Sequence, residues 1–335
     1  MNLARFQSLL VCVVHVFPFI VLFGFMWNLP VLFPVRIDEL KCYYVEHPRS
    51  SHVENISRVF CDGHYQSPVN LSRNKAKIRS SSPFKLNNYD TCPFAIHMEN
   101  NGHTVMLKPR QPKMPTLEGG GLKGEYSLVQ VHWHWGSDSS RGSEHIIDGR
   151  SYPLEMHLVH MATRYENFTD ALQSTDHSAL AVLAFVYEAS SKDNESYECF
   201  ICSLSQLVDC GKNKTETRED SNCSFPMTNL LNLREFAEIS TEFNKAYPEF
   251  YRYEGSLTTD TCNEVVSWTV VTKPIPISEN QLNIFRKLQN ESGSPISDNF
   301  RPVQNLGDRI LRRYSANNDS RWILSCKRAD RRDIA

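Results

Sequence analysis

Hydrophobic and polar residues alternate with a period of two along much of the chain after residue 58, as in β-strands that bury one face. Turn signals such as NNG, GGG and GSD separate the alternating runs. Helical periodicity is sparse, and the best helix candidate is Gln281–Leu288, after a candidate N-cap at Ser278. The pattern predicts a mainly β (α+β) domain, whose clearest strands are Thr104–Leu107, Ser127–Trp135, Leu154–Met161, Leu180–Tyr187 and Val265–Thr272.

The first 35 residues have a different pattern, because Leu9–Trp27 is almost continuously apolar. This run is longer than the roughly 7–15 residues of a signal-peptide core and lacks a small-x-small cleavage site nearby. At about 20 residues it is long enough to cross a bilayer. We therefore predict an uncleaved single-pass signal anchor in residues 1–35, with a cleaved signal peptide as the alternative, and a polar spacer over residues 36–58. Either form directs the chain into the secretory pathway, facing the outside of a membrane or secreted.

Residues 193–227 interrupt the succession of strands. They carry three glycosylation acceptors, the charged run KNKTETREDSN and four cysteines: Cys199, Cys202, Cys210 and Cys223. This composition indicates an exposed insertion that is stapled by its own disulfides. A four-cysteine zinc site is the alternative, but the later cysteine spacing and the oxidising route argue against it.

Composition agrees with a folded domain on the secretory route. The 335-residue chain has 41% hydrophobic residues, 22% charged residues and a formal charge of −2, so nothing favours nucleic-acid binding. Ten cysteines are typical of an oxidising compartment. Nine of them lie beyond the apolar segment, so one is unpaired or forms a disulfide between two chains, and a homodimer is therefore one of the alternatives. Residues 316–335 form a polar tail without a lipid-anchor signal. N-x-S/T acceptors occur at Asn55, Asn70, Asn167, Asn194, Asn213, Asn222, Asn290 and Asn318.

Two histidines stand one residue apart in the predicted strand that ends VHWHWG. Because side chains two apart share a face of a strand, Gln130, His132 and His134 point one way and the neighbouring Val and Trp residues the other. Two such imidazoles can bind one metal ion. A third ligand is available in the run LEMHLVH, where His157 shares a face with Glu155, if the two strands pair.

An isolated H-x-H is common and is weak support for a metal site. The neighbouring side chains favour a metal here, because Gln130 and Glu155 each lie two residues from a candidate ligand on the same face. Polar groups in such positions accept the other ring N–H of a metal-bound histidine and fix its orientation. His160 falls on the opposite face of its strand and is interpreted as a structural histidine.

The motifs VQVHWHWG, GSEH, EMHLVHM, GSLTT and DNFRPVQ, in this order, resemble those of the α-carbonic anhydrases. The resemblance extends from Cys61 to Tyr314 and implies a catalytic domain over residues 59–315, built on a single large, mostly antiparallel twisted sheet with a few short surface helices. It implies zinc as the cofactor. By resemblance the zinc ligands are His132, His134 and His157, and the residues that orient them are Gln130, Glu155 and Asn299.

The resemblance also implies the reaction, in which zinc-bound hydroxide attacks carbon dioxide to give bicarbonate. Thr258 would accept a hydrogen bond from the hydroxide and donate to Glu144, while His103 would carry the proton away. A disulfide between Cys61 and Cys262 and a cis Ser67–Pro68 bond are implied as well. The residues implied to contact carbon dioxide or bicarbonate are Val159, Val182, Leu257, Thr259, Val266 and Trp268.

Two departures from the family pattern bear on the rate. Asp260-Thr261 follows Thr259 where the family usually has Pro-Pro, so the loop that carries Thr258 loses two backbone constraints. Phe300 replaces a usual tryptophan. Two other functions are alternatives to carbon dioxide hydration. One is a non-catalytic binding or adhesion domain, which is disfavoured because all three candidate ligands are present. The other is a zinc esterase, which the small apolar pocket disfavours.

Overall fold

A computed structural model describes residues 61–82, 84–93, 95–217, 225–231, 249–314 and 322–325. Strands dominate these residues. The strands are β1 Asn70–Leu71, β2 Lys77–Arg79, β3 Phe84–Asn87, β4 Ala95–Asn100, β5 Val105–Arg110, β6 Thr116–Glu118, β7 Tyr126–Trp135, β8 Ile146–Ile147, β9 Leu154–Ala162, β10 Leu180–Ser190, β11 Asn213–Thr217, β12 Phe250–Gly255, β13 Val266–Ser278, β14 Arg312–Tyr314 and β15 Trp322–Ser325.

Thirteen strands of the described residues form one large sheet, with the order β11-β4-β5-β7-β9-β10-β13-β12-β14-β2 along its main path. Strand β6 pairs with β7 and β3, and β3 pairs in turn with β15. Most neighbours are antiparallel, whereas β10 with β13, β14 with β2 and β15 with β3 are parallel. The predicted fold class is confirmed: the molecule is mainly β, with one large mixed sheet.

Four short helices lie in the described residues: α1 Phe168–Leu172, α2 Glu198–Leu204, α3 Met227–Leu230 and α4 Glu279–Phe285. The predicted helix is present as α4, and Ser278 caps it. The Ser278 hydroxyl accepts from the Gln281 N–H at 3.1 Å, and the Gln281 side chain accepts from the Ser278 N–H at 3.2 Å. The helix ends three residues before the predicted Leu288, because Leu288 turns into the core and its carbonyl accepts from the Ile296 N–H at 2.7 Å.

The two faces of β7 have different roles. Trp133 and Trp135 point into the larger apolar core, where the Trp133 ring stacks on Phe200 with centroids 4.7 Å apart. His132 and His134 alternate with the tryptophans and therefore lie on the other face. The sheet thus supports the candidate site from behind with close-packed aromatic side chains.

The prediction that residues 193–227 are exposed was wrong for one side of this segment. Tyr197, Phe200 and Leu204 are buried in the larger core at 0–1% exposure, because they recur on one side of α2 and the turn before it. Strand β11 then adds to the sheet by antiparallel pairing with β4. Among the described residues neither Cys202 nor Cys210 has a disulfide partner, so the predicted staple is not seen for them; Cys223 lies outside the described residues.

The predicted signal anchor (residues 1–35) and spacer (residues 36–58) lie outside the described residues. Within the described part of the chain, no helix is long and apolar enough to span a membrane. Of the predicted polar tail, only residues 322–325 are described, and they form β15 beside β3. The Cys61–Cys262 disulfide is present, with Cα atoms 5.0 Å apart, and the Ser67–Pro68 bond is cis.

Candidate metal centre

Antiparallel pairing of β7 with β9 brings the three predicted ligands together. The register places His132 directly opposite His157, and His134 is two residues further along β7. The ring centroids lie 5.1 Å apart for His132 and His157, and 4.7 Å apart for His134 and His157. One ring nitrogen from each histidine lies within 4.8 Å of the other two. All three side chains are buried.

Each imidazole is held in place by a hydrogen bond that one of its two ring nitrogens donates. His132 Nδ1 donates to Gln130 Oε1 at 2.9 Å, and His134 Nδ1 donates to the Asn299 carbonyl at 2.8 Å. His157 Nε2 donates to Glu155 Oε1 at 2.8 Å. The nitrogens that remain are Nε2 of His132, Nε2 of His134 and Nδ1 of His157. Acceptors of this kind define the tautomer that presents a lone pair to a metal.

The remaining nitrogens fit a metal ion. His134 Nε2 is buried and has no hydrogen-bond partner, while His157 Nδ1 lies 3.3 Å from His132 Nε2. A buried polar atom without a partner is costly, and native proteins rarely leave one unexplained. Three imidazoles are the protein ligands of one class of catalytic zinc site, in which a fourth position stays open. The donor set therefore suits zinc.

Burial keeps two of the candidate ligands, His132 and His157, in the form that binds metal. It lowers the pKa of His132 well below the ordinary value, and the charges of the two neighbouring histidines add to this effect. Burial also lowers the pKa of His157, although the hydrogen bond to Glu155 opposes the shift. Both rings are therefore neutral at physiological pH, and neutral imidazole is the metal ligand.

Glu155 is the centre of a buried polar network that sequence analysis found only in part. Its Oε2 accepts from the His145 N–H at 2.8 Å, and its Oε1 accepts from His145 Nδ1 at 2.6 Å. His145 Nε2 lies 2.7 Å from the Tyr253 hydroxyl, which lies 2.9 Å from Ser67 Oγ. Burial raises the pKa of Glu155, but its electrostatic interactions and hydrogen bonds with the two imidazoles outweigh this effect, so the pKa lies well below the usual range. Glu155 is thus a carboxylate.

His145, Glu155 and His157 are also close enough to hold an ion, since their ligand atoms lie within 4.8 Å of one another. These atoms already satisfy each other, however, through hydrogen bonds of 2.6 and 2.8 Å from the two rings to Glu155 Oε1. Glu155 and the two ring nitrogens that face it therefore need no ion between them. This trio is therefore a hydrogen-bonded support for His157, and the three-histidine group is the better candidate metal centre.

The His132 and His157 side chains face a cavity of about 430 Å³. Most of the predicted substrate residues line it, whereas Val266 is buried in the core beside Trp268 and does not. Asn101, Thr104, Met106, Phe168 and Asp260 line it as well and were not among the predicted site residues. The predicted site residues in the lining are His103, Gln130, His132, His157, Val159, Val182, Leu257, Thr258, Thr259 and Trp268.

Glu144 is buried beside the metal centre, with Oε1 3.4 Å from His134 Nδ1. Its Oε1 accepts from the Arg301 N–H at 2.9 Å, and its Oε2 is buried without a hydrogen-bond partner. Thr258 lines the cavity, but the structure does not bring its hydroxyl to Glu144 Oε2. The predicted Thr258–Glu144 bond is therefore not present in this structure.

Asn299 connects two parts of the site. Its carbonyl holds His134, as described above, while its side chain accepts from the Trp135 N–H at 2.7 Å and donates to the His103 carbonyl at 2.8 Å. The His103 N–H in turn donates to Asn101 Oδ1 at 3.0 Å. The loop that carries His103 is thereby fixed at the cavity wall, with the His103 side chain exposed.

The class of protein is thus a mainly β fold with three clustered, buried imidazoles, two of which line a largely apolar cavity, and this arrangement is typical of a metal-dependent enzyme. The chain belongs to the eukaryotic-type carbonic anhydrase family, whose model matches residues 50–315. It is therefore an enzyme of a family of lyases that are generally zinc-dependent and hydrate carbon dioxide.

Individual relatives agree with this assignment. The chain is 34% identical over 257 residues to putative carbonic anhydrase 3 of Caenorhabditis elegans, covering 76% of this chain and 92% of the relative. It is 33% identical over 307 residues to carbonic anhydrase 15 of Mus musculus, covering 85% and 89%. It is also 34% identical over 255 residues to carbonic anhydrase 4 of Oryctolagus cuniculus, covering 75% and 76%.

Proposed function

We propose that this protein interconverts carbon dioxide and bicarbonate at a zinc ion held by His132, His134 and His157. The observation that carries the proposal is the buried Nε2 atom of His134, which has no hydrogen-bond partner, in a group of three histidines that each bring one ring nitrogen within 4.8 Å of the other two. A bound ion would remove the cost of that unpaired nitrogen. When bound, zinc supplies a hydroxide nucleophile near neutral pH, because three neutral imidazoles leave the ion its full charge.

Thr258 and Glu144 orient the nucleophile in this proposal. Glu144 Oε2 is proposed as the acceptor for the Thr258 hydroxyl, since it is buried, has no hydrogen-bond partner and lies 4.0 Å from His157 Nδ1 at the candidate metal centre. Once the hydroxyl hydrogen points at Glu144, the threonine oxygen can only accept a hydrogen bond from the nucleophile. This directs the attacking lone pair at the substrate. The backbone N–H of Arg301, which donates to Glu144 Oε1, keeps the carboxylate in place.

The cavity wall suits carbon dioxide, which is small and apolar. An apolar surface next to the histidines is formed by Val159, Val182, Leu257 and Trp268, and Val266 belongs to the same buried cluster as Trp268. Such a wall holds the substrate without strong directional bonds. Thr259 lies at the same wall and is proposed to contact the bicarbonate product.

His103 is proposed as the proton shuttle. It lies in the cavity lining on a loop fixed by Asn101 and Asn299, and its side chain is exposed. A histidine in contact with both the cavity and bulk water can accept a proton inside and release it outside, because its ordinary pKa is close to neutrality.

A secretory location is proposed from three features. The Cys61–Cys262 disulfide persists in an oxidising compartment. The acceptor residues Asn70, Asn167 and Asn213 are exposed. The apolar segment in residues 1–35 supplies the targeting signal, as an anchor or as a cleaved peptide.

The direct test measures hydration of carbon dioxide by residues 36–335, with and without zinc. Proton release, recorded by stopped flow, is the readout. We expect activity in the zinc-loaded protein, loss after chelation and recovery on adding zinc. His132→Ala should lose both stoichiometric zinc and activity, whereas His64→Ala, which alters an exposed histidine outside the cavity lining, should keep both. A folded, zinc-loaded protein without activity would overturn the proposal and favour a non-catalytic binding domain.

The shuttle is tested separately with His103→Ala. We expect kcat to fall roughly tenfold or more, because proton export then depends on the buffer, while kcat/KM for carbon dioxide stays unchanged. Imidazole added to the assay should restore kcat. His64→Ala serves again as the matched histidine control. An unchanged kcat in His103→Ala would remove this residue from the mechanism without affecting the zinc proposal.

A further inference from the structure

The described residues that line the cavity include one fixed charge. Among them are histidines, threonines, amides and apolar residues, but neither lysine nor arginine, and the carboxylate of Asp260 is the single acidic group. Asp260 follows Thr258 and Thr259 in the same wall, and its side chain is exposed. No lysine or arginine of the lining therefore offsets the negative charge of Asp260.

The loop that carries Asp260 is held at both ends. The Leu257 N–H donates to the Asn263 carbonyl at 3.0 Å, and the Cys262 N–H donates to the Thr259 carbonyl at 3.1 Å. The disulfide from Cys262 to Cys61 ties the far end of the loop to another part of the chain. The backbone of Asp260 consequently has a defined place at the cavity wall, so its carboxylate stays near anything bound inside.

We propose that Asp260 is a specificity-determining residue that disfavours anions in the cavity relative to neutral ligands. This inference rests on the proposed function, in which the substrate carbon dioxide is neutral and the product bicarbonate is an anion. A fixed carboxylate repels small inorganic anions that compete for the metal, and it also favours departure of the anionic product. The neutral substrate experiences no such repulsion, because it has no net charge.

The test measures anion binding directly, apart from turnover. The zinc ion is replaced by cobalt, whose visible absorption reports ligand binding, and the protein is titrated with thiocyanate at low ionic strength. We expect the dissociation constant to fall roughly two- to fivefold in Asp260→Asn, because a unit charge near a partly hydrated site contributes an interaction of that order. Asp260→Lys should lower it further. Asp308→Asn, which removes an exposed aspartate outside the cavity lining, should leave it unchanged.

Two further comparisons separate charge from shape. Asp260→Glu keeps the charge and should keep the wild-type dissociation constant, and the difference between wild type and Asp260→Asn should shrink at high ionic strength set with sulfate. Equal dissociation constants for the wild type and for the Asp260→Asn and Asp260→Lys variants would overturn the inference, as would an Asp260→Glu variant that behaves like Asp260→Asn. A wild-type protein that binds cobalt and thiocyanate but does not hydrate carbon dioxide would overturn the proposed function instead.

Discussion

His160 shows what burial does to a histidine that binds no metal. It lies on β9 three residues after His157 and on the opposite face, fully buried. Its Nδ1 donates to the Ala181 carbonyl at 3.1 Å, and its Nε2 accepts from the Tyr89 hydroxyl. Both ring nitrogens are thus satisfied in the neutral form, and burial lowers the pKa of His160 to about 4. The residue has the structural role that its position in the sequence predicts.

This pKa shift makes stability fall in acid. The unfolded chain binds a proton at His160 below pH 6.5, whereas the folded chain does so only near pH 4. The stabilisation is therefore complete above pH 6.5 and is lost between 6.5 and 4, by about 3 kcal/mol in total. We expect zinc-loaded wild type to lose about 2 kcal/mol more than His160→Gln between pH 7.5 and 5, measured by urea unfolding. Glutamine keeps a donor and an acceptor but does not titrate; equal pH slopes would contradict the prediction.

Much of the candidate site could be predicted at this scale, because its ligands follow a local pattern. Gln130, His132 and His134 follow one another at intervals of two on β7, and Glu155 and His157 are two apart on β9, so alternation alone places each set on a common face. The remaining partners come from distant parts of the chain. The Asn299 carbonyl that holds His134 is 165 residues away, and Tyr253 is 108 residues from His145. A backbone carbonyl, moreover, has no signature in the sequence.

Among the elements, strands were easier to predict than their ends. Strand β13 continues to Ser278, six residues beyond the predicted Thr272, although Pro274 and Pro276 follow. Proline lacks an N–H and normally ends a ladder. Here the pairing of β10 with β13 shifts register between Phe185 and Tyr187, and the ladder then resumes with Tyr187 opposite Ile275. A bulge of this kind is a property of the paired strands, so one strand's sequence does not reveal it.

The insertion was harder to predict because two signals conflict in it. Its charges and cysteines indicate an exposed segment, whereas Tyr197, Phe200 and Leu204 recur at the spacing of a helix face. The helix has only seven residues, too few for a strong periodic signal. Packing decides the outcome, since burying three large side chains against Trp133 and its neighbours contributes several kcal/mol. The polar residues then fall on the outer side and on the edge strand β11, where charge discourages further pairing.

At the scale of the whole molecule, the sheet order could not be derived from local pattern. Strand β13 lies between β10 and β12, and the parallel pair of β10 and β13 joins residues more than 80 apart in the chain. Such neighbours depend on the chain as a whole, so the resemblance to a known family predicted the architecture where periodicity did not. The same resemblance predicted the Cys61–Cys262 pair, which is present.

The Cys61–Cys262 disulfide connects the loop at the candidate site to the beginning of the described domain. Cys61 and Cys262 are 201 residues apart, so the bond closes most of the domain into one loop, and Cys262 also ends the segment that carries Thr258, Thr259 and Asp260. Closing a long loop removes conformations from the unfolded chain and stabilises the fold by roughly 3–5 kcal/mol. We therefore expect the double variant Cys61→Ser, Cys262→Ser to have a free energy of unfolding lower by that amount, measured by chemical denaturation.

The exposed Cys202 provides the control, because it has no disulfide partner among the described residues, and Cys202→Ser should change stability by less than about 0.5 kcal/mol. Thr261 and Cys262 both have a positive φ angle, 81° and 45°, which residues other than glycine rarely adopt. The loop depends on its surroundings to hold this backbone, so releasing Cys262 should impair activity even where the protein remains folded. Full activity at the wild-type level in the folded double variant would show that the hydrogen bonds of the loop suffice to position Thr258.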